Sequence, residues 1–115
     1  PSLLHQAGVT CAISIEGSWQ ERNLPFMAGT AAGHGLTSEE ALSMVTSVPA
    51  AILGLDTQTG TLEVGKDATL LLTKGDILDM KSSVVEVAFI KGKTINLDDV
   101  QKQLNRKYME KYGLK

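Results

Sequence analysis

The sequence has a single cysteine, Cys11. One cysteine excludes an intrachain disulfide and any metal cluster built on thiolates. In an apolar run it reads as a small buried hydrophobe. Aromatic residues are scarce at 4%. No apolar run reaches the roughly 20 residues that a membrane-crossing helix requires, so no membrane partner is expected. There is no basic excess, the net charge being −2, so no nucleic-acid partner is expected. The opening stretch "PSLLHQAG" lacks the basic region and apolar core of a secretion signal. The sequence starts at Pro1 rather than Met, and the expectation is that residues precede it. The default compartment is cytoplasmic, or periplasmic if an upstream signal is removed. What is present is ordinary for a globular protein: 43% hydrophobic and 21% charged residues in a chain of 115, enough for one domain with one core. There is no internal repeat and no low-complexity linker.

The pattern along the chain alternates helix-like and strand-like stretches. "SLLHQAGV" reads as the last turns of a helix, with Leu3, Leu4 and Ala7 on one face and Gly8 as its stop. Residues 9–15 follow as a short, nearly all-apolar strand, the texture of a strand covered on both faces in a parallel α/β sheet. "EGSWQERN" is a polar loop, and "LPFMAGTAAGHG" is a helix closed by Gly33 and Gly35. "LTSEEALSMVTSV" is the clearest helix, because Thr37 and Glu40 form a T-x-x-E capping box. Ala41, Leu42 and Val45 make its buried stripe. Pro49 breaks it and opens the next, "PAAILGL", which Gly54 ends. The texture changes near Leu55. Residues 68–73 and 83–91 read as strands, "KGK" as a tight turn and "TINL" as a third strand. Asp98 or Asp99 caps a final helix with Val100, Leu104 and Tyr108 in one stripe.

Several stretches invite a chemical reading. "GTLEVGKD", residues 60–67, nearly matches a phosphate-binding loop. It fails on three counts: Asp67 stands where a hydroxyl must hold Mg²⁺, Glu63 adds negative charge, and a strand follows instead of a helix. His5 and His34 have no visible catalytic partner and read as helix-end or surface groups. Lys102, Arg106, Lys107, Lys111 and Lys115 on the last helix read as a solvated face with cations near the helix C-terminus, or as a weak site for anions. Trp19 is either a substrate-facing aromatic or a packing anchor. Glu16 stands out. It lies at the C-terminal end of an apolar strand, where α/β folds place their chemistry, although loops after strands also carry acids for solvation.

Taken in order, "LTSEEALSMVTSVPAAILGLD", "GTLEVGKDATLLLTKGD" and "VVEVAFIKGKTI" resemble the C-terminal end of the metal-dependent amidohydrolase superfamily, most closely its imidazolonepropionase-like branch. The resemblance covers about residues 9–95. It implies an α/β fold: the C-terminal piece of a (β/α)8 barrel, with its last strand and following helices, plus strands of a flanking small β-sandwich and a C-terminal helix. Residues 9–15 would match the eighth barrel strand, residues 24–53 the helices after it, and residues 61–95 sandwich strands. Residues 1–54 would form the end of the barrel part, and residues 55–115 the sandwich-like strands and last helix.

In the family the eighth strand ends in an aspartate that helps bind the metal and takes a proton from the attacking water. "SIEG" places Glu16 at that position, as the candidate catalytic and metal-binding residue. Ser14, Gly17 and Trp19 would line the substrate mouth. Glutamate keeps the charge but moves it by about 1.5 Å, one C–C bond. Thr69 replaces the family's usual aspartate at the turn into the next strand. The family's other ligands, an H-x-H pair and groups on middle strands, have no counterpart here. The resemblance therefore implies a parent that hydrolyses C–N bonds of a cyclic amide or similar small substrate with a divalent metal, zinc or iron. The chain alone is expected to be inactive and to hold no cofactor. It is expected to form a homo-oligomer or to associate with the missing part of its parent. Two alternatives stand beside this: a non-catalytic interaction module that has lost the metal site, and a small free-standing α+β binding domain.

Overall fold

The computed structural model describes residues 1–114. The first half is helical: α1 (Ser2–Gln6), α2 (Leu24–Gly33), α3 (Ser38–Ser43) and α4 (Ser47–Ile52). A 3-10 turn, Glu21–Asn23, leads into α2. The second half holds β1 (Leu70–Lys74), β2 (Val84–Ile90) and β3 (Lys93–Thr94), then α5 (Val100–Lys111). The strands form one antiparallel sheet in the order β1-β2-β3. The chain is thus a mixed α/β structure with a small antiparallel sheet.

Local chemistry explains most element ends. Thr37 Oγ1 accepts from the Glu40 amide at 3.2 Å, and Glu40 Oε2 accepts from the Thr37 amide at 2.7 Å. This capping box starts α3 at Ser38. Asp99, not Asp98, caps α5 by accepting from the Lys102 amide at 2.8 Å. The β2–β3 turn uses Lys91 at φ 49° and Gly92 at φ 76°, the paired positive φ of a two-residue hairpin whose twist suits the strands.

The expected helix from Thr37 through Val48 is two helices. Residues 44–46 form a turn, and the amides of Val45 and Thr46 bond three residues back to Leu42 and Ser43. Pro49 accounts for the break. In a continuous helix its ring would clash with the Val45 carbonyl. The break falls one turn earlier, so α4 starts at Ser47 and Pro49 lies inside its first turn. The third strand is also shorter than expected, two residues at Lys93–Thr94.

The expected single core is small. Ala28, Ala31, Leu36, Ala41, Met44 and Leu78 are buried together, with Cys11, Ile13, Leu42, Val45 and Ile77 packed around them. Half of the six buried side chains are alanines, and among the described residues no large side chain is fully buried. The radius of gyration is 17.1 Å, against about 13 Å for a compact domain of this length. The long dimension is 58 Å. Leu62, Val64, Leu71 and Leu72 of the second half are exposed. So is the predicted stripe of α5, Val100, Leu104 and Tyr108.

One close approach joins the helices to the loop between β1 and β2. Gly29 of α2 leaves so little room that an added Cβ would lie 2.2 Å from the Leu78 carbonyl oxygen. Gly29→Ala should destabilise the protein by about 1–3 kcal/mol through overpacking. Gly33→Ala, with nothing within 4 Å, should be neutral or mildly stabilising. Urea unfolding of the pair checks this, and equal effects would contradict it.

A longer-range tie is electrostatic. His5 Nε2 of α1 lies 3.1 Å from Oε1 of Glu40, whose other oxygen serves the capping box. Hydrogen bonds from the Thr37 amide and hydroxyl, with His5 adding to them, hold the Glu40 carboxyl below its ordinary value of 4.5. A lowered carboxyl pKa stabilises the fold above the unfolded value and loses that effect as pH falls through the folded one. The stability difference between wild type and Glu40→Gln should therefore be greatest near neutral pH. It should shrink below about pH 4.5. A difference that stays constant from pH 7 to pH 3 in parallel melts would contradict this.

Candidate functional site

Residues 9–16 form neither helix nor strand, and no strand pairs with them among the described residues. This corrects the expectation of a strand covered on both faces. A strand needs a neighbour's backbone to form a ladder. Here the Val9 amide donates back to the Leu4 carbonyl at 2.9 Å, and beyond it only the Ile13 amide is anchored among the described residues, donating to the Met44 carbonyl at 3.0 Å. Burial alternates with a period of two. Cys11, Ile13 and Ile15 are half-buried, and Cys11 and Ile13 pack on the helical core. Ala12, Ser14 and Glu16 are exposed on the opposite side. The segment has a helix-covered face and a bare face.

Glu16 sits at the end of the bare face, and Ser14 precedes it by one strand repeat, roughly 7 Å. Gly17 then turns the chain at φ 94°, a left-handed conformation that costs glycine little. The Gln20 amide donates to the Gly17 carbonyl at 2.9 Å and closes the turn. Trp19 projects from it with 79% of its surface exposed, so within this chain it is no packing anchor. Ser14 and Glu16 thus lie on the exposed side of residues 11–16, and Gly17 and Trp19 lie in the turn that follows. Glu16 makes no hydrogen bond or ion pair to another described residue. Neither of two open clefts among the described residues is lined by Glu16: one of about 410 Å³ lies between α2 and the loop at Asp76 and Asp79, and one lies between α1, the start of the segment at Val9 to Cys11, and Met44.

A catalytic divalent cation needs about three protein ligands. The bare face supplies one carboxylate. Among the described residues no three His, Cys, Asp or Glu side chains converge. His5 is engaged with Glu40, and His34 is the exposed C-terminal cap of α2. The residues present do not by themselves fit a metal centre. The loop at residues 60–67 likewise leads into β1, not a helix, and Lys66 bonds to Thr61 and Glu63 instead of standing ready for phosphate.

Sequence reasoning missed the His5–Glu40 contact. The two residues lie 35 positions apart, and no local pattern links them. It also missed the loop at residues 75–83. There Asp79 accepts from the Ser82 hydroxyl at 2.6 Å and the Lys81 amide at 3.1 Å, which lowers its carboxyl pKa. An Asp three residues before a Ser was the one visible signal for that turn.

The model of the Amidohydrolase family matches residues 2–95. An amidohydrolase from Thermotoga maritima MSB8 is 35% identical over 81% of this chain and 24% of its own, with a TM-score of 0.74. A Bifidobacterium longum protein assigned as a prolidase is 27% identical, covering 93% of this chain and 29% of its own, at a TM-score of 0.62. A prolidase complexed with N-methylphosphonate-L-proline is 24% identical over 80% of this chain and 24% of its own, at a TM-score of 0.63, and so shares the fold alone. No curated protein matches. The chain spans about a quarter of the length of the solved structures it matches. With most of its length matched by the family and a third of the matched residues identical to the Thermotoga protein, the chain belongs to the amidohydrolase family.

Proposed function

We propose that these 115 residues are the C-terminal part of a hydrolase that cleaves C–N bonds in small substrates. The observation that carries this reading is the two-faced segment at residues 9–16. One face is seated on helices, and the other is bare and ends in a carboxylate. A barrel strand has this form: its outer side meets helices and its inner side meets other strands. Residues 1–54 then close the barrel, and residues 55–115 supply sandwich strands and a terminal helix. Partner strands would cover the bare face of residues 9–16 and the exposed leucines of β1.

Within that site Glu16 acts as general base. Its carboxylate takes a proton from the attacking water and gives it to the leaving nitrogen. Ser14 and the Gly17 turn shape the mouth, and Trp19 covers apolar parts of the substrate. Divalent metal, zinc or iron, would polarise the scissile carbonyl. At most one ligand, Glu16, comes from this chain, and the others lie outside it. The substrate class is a cyclic amide, by the imidazolonepropionase-like motifs. The prolidase relatives add dipeptides ending in proline as a second class to assay. A second reading, a non-catalytic relative, draws on the glutamate itself, which displaces the charge by about 1.5 Å from the family's aspartate position.

Steady-state hydrolysis by the whole protein, with metal supplied, separates the two. Glu16→Gln should lower kcat by about 10²-fold or more, as loss of a general base does, while Glu16→Asp should keep activity within about tenfold. The 115-residue chain assayed alone should show no turnover. An unchanged kcat in Glu16→Gln would overturn the role of Glu16. Inactivity of both wild type and Glu16→Asp would favour the non-catalytic reading.

A further inference from the structure

One carboxylate in this chain joins two elements. Glu40 Oε2 accepts from the Thr37 amide at 2.7 Å and from the Thr37 hydroxyl at 2.9 Å, which closes the start of α3. Glu40 Oε1 lies 3.1 Å from Nε2 of His5 on α1. An ionised carboxylate only accepts, so Nε2 is the nitrogen that carries the hydrogen. Among the described residues no other hydrogen bond joins α1 to another helix. No side chain of α1 is buried, and its five residues are too few to hold a helix on propensity. A cleft of about 250 Å³ opens beside the contact, lined by His5, Val9, Cys11, Met44 and Val48. Apolar packing does not close that space, and the His5–Glu40 contact spans it.

Both partners lead to the candidate acid by short backbone routes. The Gly8 amide donates to the His5 carbonyl at 2.9 Å, and the Val9 amide to the Leu4 carbonyl at 2.9 Å. The end of α1 therefore fixes where the segment starts. On the other side the Met44 amide donates to the Glu40 carbonyl at 3.2 Å, and the Ile13 amide donates to the Met44 carbonyl at 3.0 Å. Glu16 follows three residues after Ile13.

We infer that His5 and Glu40 are positioning residues for Glu16. Their contact sets the spacing of α1 and α3, and residues 9–16 run between these two anchors. The inference rests on the reading of Glu16 as general base. A misplacement of about 1 Å can cost about 10²-fold in rate. A half-exposed ion pair shifts its anchors by less, so the loss should be several-fold and fall on kcat.

Two measurements test this. The first is amide exchange in the 115-residue chain, read at Ile13 and at Ala41, whose amide donates to the Thr37 carbonyl within the start of α3. His5→Ala should speed exchange at Ile13 by about fivefold or more and leave Ala41 within about twofold, because the capping box survives. His5→Gln, whose side-chain amide still donates to a carboxylate, should bring Ile13 back to within about twofold of wild type. Equal speeding at Ile13 and Ala41, an unchanged Ile13 rate in His5→Ala, or no recovery in His5→Gln would overturn the inference.

The second is steady-state hydrolysis by the whole protein with metal supplied. His5→Ala should lower kcat by about threefold to tenfold and leave KM within about twofold. In a Glu16→Gln background the same change should cost less than about twofold, since its effect runs through the Glu16 carboxylate. Equal losses in both backgrounds, or no loss in the first, would overturn the inference while leaving Glu16 as the base. A Glu16→Gln protein that keeps the wild-type kcat, or a whole protein without turnover, would overturn the reading of Glu16 and this inference with it.

Discussion

The structure depends on how an extended backbone with no neighbouring strand is held. Residues 10–16 keep their course through one backbone hydrogen bond, from the Ile13 amide to the Met44 carbonyl, and through Cys11 and Ile13 packed on the helices. An isolated strand gains nothing from propensity alone, because its remaining amides and carbonyls face water. Its direction is set by the helices it lies on. That is why the turn after α3 matters: Met44 is buried in the core and offers its carbonyl to Ile13. Pro49, which forces the turn at residues 44–46, helps set where the candidate acid emerges.

The same constraint connects the two halves. Alanines of α2 and α3 make up half of the buried core, and small side chains permit close backbone approach. Gly29 takes this furthest by admitting the Leu78 carbonyl. The loop before β2 thereby becomes part of the helical core, while the sheet beyond it leaves Leu71 and Leu72 exposed. A chain with this much uncovered apolar surface has the form of a part of a larger body, which agrees with the quarter-length coverage of its solved relatives.

Much of this was legible in the sequence, and the rest was not for definite physical reasons. The capping box at Thr37 and Glu40, the stops at Gly8 and Gly54 and the hairpin at Lys91 and Gly92 are local, and local chemistry fixes them. The run to Glu16 reads as a strand in the sequence, but the structure assigns none there, because apolarity does not report whether a neighbour is present to pair with it. The helix break was misplaced because Pro49 acts on a carbonyl one turn upstream. The stripe of Val100, Leu104 and Tyr108 was read correctly as a pattern, but pattern does not say what lies against it. The His5–Glu40 and Gly29–Leu78 contacts join distant residues and leave no local trace. Of the candidate site, the sequence made Glu16 visible by position and by likeness to a motif. The bare face it shares with Ser14 became visible only with the helices in place.

The central claim is that residues 9–16 lack their neighbours in this chain and acquire them in the longer hydrolase. Amide hydrogen exchange resolved to single residues tests it most directly. In the 115-residue chain the Ile13 amide should be slowed, and those of Ala12, Ser14 and Glu16 should exchange at rates near those of an unstructured peptide. In the longer protein all four should be protected. Protection of Ala12, Ser14 and Glu16 in the 115-residue chain by itself would show that the segment is already satisfied there, and would contradict the account.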